Sequence, residues 1–275
     1  MGIFTDNPVL EREMRGRLRL RRKGSVGSIP WVGWILAVVI FYFYARGLIG
    51  LSRGTFRDSQ EFWPLLSYGL LTLIVLLAPA LASTAITQER EQQTWDSLAT
   101  TQLTALEILL GKWLGRQIIP WLLLVIALPY MLGVDIMGRI GFLPLIGTLL
   151  FLFVTSAFYG VLGLLCSYQA RRTMTATASA LTFTALLCIG TLVINGVLSY
   201  FIVNNPQANS PVEWLNPFIA LSSLMNMMNL GNSTGYDTGT DAVVVIAYFS
   251  LTLTLTFAAL LFMVSRYRRA VRERT

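Results

Sequence analysis

Residues 62–88 read FWPLLSYGLLTLIVLLAPALASTAITQ, and residues 89–116 read EREQQTWDSLATTQLTALEILLGKWLGR. The first run carries no Asp, Glu, Lys or Arg, and it exceeds the roughly 20 residues a helix needs to cross hydrocarbon. The second opens on three charges and closes on Lys112 and Arg116. A chain that changes in this way is leaving a bilayer. Working outward, five more uncharged runs occupy 24–45, 117–134, 140–170, 173–212 and 242–265. Each is long enough to span a membrane at least approximately. The composition agrees: 55% of the 275 residues are hydrophobic and 13% charged, against about 25% charged in soluble domains, and the mean hydropathy is +0.62. The reading is an all-α polytopic membrane protein with six transmembrane helices.

The formal charge of +7 raises the question of nucleic acid, and the positions of the charges answer it. Seven Lys or Arg lie between Arg12 and Lys23, three more are Arg90, Lys112 and Arg116, then come Arg171 and Arg172, and five lie between Arg266 and Arg274. With six spans all of these fall on one side, and Arg46, Arg53, Arg57 and Arg139 fall on the other. Positive loops mark the cytoplasm, so both termini are expected there. The protein is expected in a bacterial inner (plasma) membrane, with lipid headgroups rather than nucleic acid against its basic residues. The basic start followed by an apolar run resembles a targeting signal, but Ala45-Arg46-Gly47 offers no small-residue cleavage site, so the first span is expected to be retained.

Several classes of chemistry lack their residues. There is no His, which removes the commonest metal ligand and acid–base group. Cys166 and Cys188 both sit in apolar runs and read as small buried hydrophobes. No GxxxxGK[ST] loop occurs, so no nucleotide site is expected on this chain. No cofactor or metal is expected to be bound by it.

The chain divides as follows. Residues 1–29 form a cytoplasmic segment in which Asn7 and Pro8 open a helix. Leu10, Met14 and Leu18 share one face of that helix, with basic residues around them. It is expected to lie in the membrane interface, with Arg15, Arg19, Arg22 and Lys23 reaching headgroups. Residues 30–86 hold spans one and two, with Pro79 as an expected kink. Residues 87–116 form a cytoplasmic segment, and 117–203 hold spans three to five, about 117–134, 142–168 and 174–203. Residues 204–241 are extracytoplasmic. Their run FIALSSLMNMMN, opened by Asn216-Pro217, is too short to cross and is expected to dip into the membrane or lie on it. Residues 242–275 form span six and a basic tail. The start of span five, TMTATASALTFTA, suits close helix packing more simply than a transport lining. The Ser156–Gly160–Gly163 spacing in span four points to packing too.

Between spans two and three, Glu89, Glu91 and Thr94 precede a turn with Trp95 and Leu98. A Thr-Thr-Gln break at 100–102 follows, and then Leu103, Leu106 and Leu110 at helical spacing, ending at Gly111-Lys112. Such a helix–break–helix is polar enough to leave the bilayer and carries an apolar stripe to press on a partner. An ordinary amphipathic loop would look the same.

The pattern E-x-E-x-x-T, then Leu, then a Thr-rich break, then Glu and Leu-Gly-Lys resembles the type-2 ABC transporter permeases, the membrane subunits of exporters whose ATPases are separate chains. Glu89, Glu91, Thr94, Leu98, Glu107, Leu110, Gly111 and Lys112 match that pattern; a proline common at the break is absent, Gln102 or Leu103 standing near its place. NPVLEREMR at 7–15 is similar to the family's opening. The resemblance implies one domain over 1–275 and pairing with a second copy or a related permease. It also implies an ABC ATPase carrying ATP and Mg, and an accessory protein on the far side in some relatives. The segment would hold a coupling helix seated on the ATPase, with Glu89, Arg90, Glu91 and Thr94 as polar contacts and Trp95 and Leu98 as anchors. No bond is made or broken in this chain. From the residues alone, a secondary transporter or channel and a membrane scaffold are the alternatives. The first commonly needs ionisable groups within the spans, whose centres here are uncharged. An intramembrane hydrolase would lack a base for its nucleophile.

Overall fold

In hydrocarbon every backbone amide and carbonyl must find its partner within the chain, and a helix achieves this locally. The computed structural model describes residues 59–93, 104–138, 141–201, 211–228, 230 and 238–272, and among these the regular elements are all helical. In chain order they are α1 (Ser59–Ala82), the short α2 (Thr87–Glu91), α3 (Ala105–Gly138), α4 (Phe142–Gln169) and α5 (Thr173–Ala185). A π turn (Leu186–Gly190) carries α5 into α6 (Thr191–Phe201). A 3-10 turn (Pro211–Leu215), α7 (Pro217–Met227) and α8 (Thr238–Arg272) complete the set.

Among the described residues, five stretches are long and apolar enough to cross a membrane: Trp63–Glu91, Leu106–Asp135, Phe142–Gln169, Thr173–Leu198 and Thr240–Tyr267. They correspond to the expected spans two to six. The expected interfacial helix and span one lie outside the described residues. α4 is the axle of the arrangement, packing on α1, α3, α5, α7 and α8. Of its apolar window 61% is buried, against 17% for Thr173–Leu198 and 22% for Thr240–Tyr267. Span four is therefore interior, while spans five and six turn most of their side chains outward.

Small residues let α4 take that position. Gly163 receives the backbone of Pro79, and Gly160 receives the side chain of Gln117, whose Nε2 donates to the Ser156 carbonyl. Pro79 lies within α1, which continues to Ala82. The hydroxyl-rich start of span five buries three of its thirteen residues, Ala176, Ala180 and Thr184. Ala176 and Ala180 are fully buried, and Thr182 and Thr184 bond back to their own helix at Ala178 and Ala180. Thr177 also meets Ser83 of the turn after α1, 3.0 Å away.

The structure revises one boundary. Span three was expected to begin near 117, after a short helix ending at Gly111-Lys112, yet a single helix runs from Ala105 to Gly138. The reason is local. Thr104 and Glu107 form a reciprocal cap, the Thr104 amide donating to Glu107 Oε2 at 2.9 Å and the Glu107 amide to Thr104 Oγ1 at 3.4 Å. This is the capping box that T-x-x-E encodes. Gly111 and Lys112 are then buried inside the helix instead of ending it.

A polar junction at the basic end

One end of the helical array gathers Arg90, Lys112, Arg116, Arg171, Arg172 and Arg266. After α1, residues 83–86 turn back on themselves, the Ala85 amide bonding the Ala82 carbonyl at 3.0 Å, and α2 begins. Ile86, at the cap position of α2, has no side chain that accepts a hydrogen bond. A helix start leaves amides without partners, and Ser167 of α4 serves here instead. Its Oγ accepts from the amides of Ile86 at 3.0 Å and Thr87 at 3.2 Å. One hydroxyl thus binds the start of α2 to the end of span four.

Two cations from α3 meet the same segment. Lys112 and Arg116 are four apart and share a helix face. Lys112, 1% exposed, forms an ion pair with Glu89, itself 18% exposed, and its Nζ also lies 3.5 Å from the Ala85 carbonyl. Arg116 donates to Thr84 Oγ1 at 2.9 Å and to Gln88 Oε1 at 3.2 Å. A lone buried ammonium is strongly disfavoured, so Lys112 depends on Glu89, and loss of either partner would leave the other charge uncompensated.

Arg90 and Glu91 point elsewhere. Arg90 Nη1 donates to the Ala170 carbonyl at 2.8 Å, and its guanidinium carbon lies 5.8 Å from the centre of the Tyr168 ring. Glu91, exposed, accepts from the Thr173 amide at 2.7 Å. That amide opens α5, whose cap residue Arg172 makes no side-chain cap bond, so the carboxylate takes the cap's place at the positive end of the helix. The consecutive triplet Glu89-Arg90-Glu91 therefore reaches α3, the end of α4 and the start of α5. Beneath it Ala85, Ile86, Leu109, Leu164, Met263 and Val264 form a separate apolar cluster.

The sequence singled out Glu89, Arg90 and Glu91 as surface contacts for a partner. The structure brings all three together, and each has a partner within this chain. Thr94, Trp95 and Leu98, with Arg15, Arg19, Arg22 and Lys23, lie outside the described residues. The sequence reading used Lys112 as a marker and missed its role. It also missed Arg116 and Ser167. The i, i+4 pair of cations at 112 and 116, opposite a segment with Glu89 and Gln88, was the available signal; Ser167 left none. Among the described residues no group of three or more His, Cys, Asp or Glu is placed to hold a metal ion.

A family model described as ABC-2 family transporter protein matches residues 52–266. No curated protein matches the chain.

Proposed function

This chain belongs to the ABC-2 transporter family, the membrane permease component of an ABC transporter, and from that premise we propose that it couples ATP hydrolysis on a separate ATPase chain to export of a substrate across or out of the membrane. Two permeases pair, as a homodimer or with a related chain, each above one ATPase subunit that carries ATP and Mg. Both termini and the junction face the cytoplasm, with the basic residues of both termini on that side.

One observation carries the reading: the two ends of the segment between spans two and three are tied together. Glu89 on the outgoing end pairs with Lys112 on the returning end, and Arg116 holds Thr84 and Gln88. A push on residues 94–103 by a closing ATPase pair then reaches α1 and α3 as one body. Ser167 and Thr173 extend it to spans four and five. Rigid-body transmission needs such cross-ties, because packed helices shift between discrete arrangements and do not bend continuously. On this reading Trp95 and Leu98 are the anchors in the ATPase groove, and Glu91, exposed beside Gln93, is the polar contact nearest to it. Glu89 and Arg90 contribute to the contact by fixing the segment's direction.

The test is gentle solubilisation of tagged protein from its native membrane, with identification of co-purifying chains and an ATP hydrolysis assay. A stoichiometric ATPase is expected. Glu91→Lys and Trp95→Ala should each weaken its retention while leaving membrane insertion intact. Undiminished retention in both variants would count against the coupling contacts. A protein isolated without any ATPase, under conditions that keep other complexes whole, would count against the whole reading.

A further inference from the structure

A second buried polar junction lies away from the basic end, where α7 meets span five. Asn216 is fully buried. Its Oδ1 accepts from the amides of Phe218 at 2.9 Å and Ile219 at 3.4 Å, capping α7. Its Nδ2 donates to the Cys188 carbonyl and to Thr191 Oγ1, both at 2.8 Å, and that hydroxyl in turn donates to the Leu187 carbonyl at 2.6 Å. The acceptors belong to the π turn Leu186–Gly190 or its first following residue. A π turn shifts the helical bonding pattern and often marks a working part of a helix. Cys188 lies near the middle of the continuous run Thr173–Phe201, so the start of α7 reaches well into the apolar depth.

The junction is also joined to the axle helix. The Cys188 thiol lies 3.5 Å from the hydroxyl of Tyr159 on α4, and Thr155, one turn along α4, meets the Tyr248 hydroxyl of α8 at 3.0 Å. α7 rests on both α4 and α8. Motion delivered to α4 through Ser167 therefore bears on the residues that hold α7.

We propose that Asn216 is a positioning residue for transport, holding α7 against the π turn of span five and releasing it when the permease opens to the outer side. This deepens the exporter reading and rests on it. One side chain satisfies two amides of α7, a carbonyl of span five and a hydroxyl, so withdrawing it leaves several buried groups unpaired at once. A contact of that kind has two states, seated or released, with little stability between them.

Cys188 supplies the readout, since with Cys166→Ser it is this chain's sole thiol and it is buried. The complex with its co-purified ATPase is placed in lipid nanodiscs. Alkylation of Cys188 by a small membrane-permeant maleimide is then timed without nucleotide and after trapping with ATP and vanadate. Slow labelling without nucleotide and labelling faster by about tenfold or more on trapping are expected, since the loss of even one net hydrogen bond is worth up to about tenfold. Asn216→Ser keeps an oxygen for the cap but has no amide to donate, and should label fast in both states. Should that variant fail to fold, Thr191→Val, which leaves the cap intact, should show a smaller acceleration without nucleotide. Unchanged rates in these variants, or a rate unmoved by trapping while ATP is hydrolysed, would overturn the proposal. If no ATPase co-purifies, the exporter reading fails instead, and the nucleotide-free comparison of wild type with Asn216→Ser still decides whether the amide holds α7.

Discussion

At the basic end Lys112 is 1% exposed and brings a full charge into the array; beside Cys188, Asn216 is 0% exposed and neutral. Both residues tie together elements distant in sequence. The difference follows from depth. Lys112 sits close to the array's end, and its counter-ion Glu89 keeps 18% exposure, so the pair retains a path to water. Asn216 reaches the middle of span five, where charge is far more costly. An amide gives two donors and an acceptor there without charge. The basic end is thus suited to holding one arrangement rigidly, and the deeper junction to being parted.

The largest effect is expected of Lys112→Ala, which strands Glu89 against α3. Removing one member of a buried ion pair costs about 3–5 kcal/mol, so a large fall in the apparent unfolding midpoint in detergent is expected. The double variant Glu89→Gln with Lys112→Met should recover most of the loss, because no unpaired charge remains. A double variant as unstable as the single one would show that the charges themselves matter less than the packing around them.

Between the two junctions lies the axle, and its tolerance can be measured separately. A side chain at Gly163 would meet the backbone of Pro79, whose Cα lies 2.8 Å from the position a Cβ would take. Gly163→Leu must push α1 and α4 apart, an overpacking cost of about 3 kcal/mol. At Gly160 the obstacle is the movable side chain of Gln117, so Gly160→Ala should cost less. Equal losses at the two positions, read by the same unfolding assay, would mean that Pro79 is not held as closely as its contact with Gly163 implies.

Asn216→Ala removes a cap and a donor together and should cost about 2 kcal/mol, the penalty for leaving buried polar groups unpaired. A loss as large as that of Lys112→Ala would erase the contrast between a neutral and an ionic junction.

The membrane-spanning architecture was legible because it rests on the longest-range signal a sequence carries. The uncharged runs at 140–170 and 242–265 each appear as one long helix, the run at 62–88 appears as α1 followed by the turn into α2, and the Asn216-Pro217 start of α7 was readable from the cap and the fixed proline φ alone. The candidate site was legible only as a segment. Glu89, Arg90 and Glu91 look like free surface charges in sequence, because Lys112, Ala170 and Thr173 become their neighbours only after the helices pack. Ser167 is an ordinary serine in an apolar run until its hydroxyl caps a helix some 80 positions away in the chain. The π turn in span five has no sequence signal that distinguishes Leu186–Gly190 from the helix on either side.

The start of α3 is the instructive miss, since its signal was present. Thr104-Ala105-Leu106-Glu107 is a capping box, and the Gly111-Lys112 pair that resembles a helix end in sequence lies inside the helix that the box starts. Thr104 is exposed, so Thr104→Ala should cost only about 1 kcal/mol, as helix caps commonly do. Glu107→Gln should cost less still, because the amide oxygen continues to accept from the Thr104 amide. These small losses separate position from burial. Thr104 sits at the same end as Lys112 and near the same segment, yet water can replace its bonds. If Thr104→Ala lowers the unfolding midpoint as much as Lys112→Ala does, then the whole basic end melts as a unit and burial of the Lys112–Glu89 pair is not what sets its strength. If its effect stays near the size of a cap, the stiffness of the junction resides in the buried cross-ties, which a frayed first turn of α3 does not loosen.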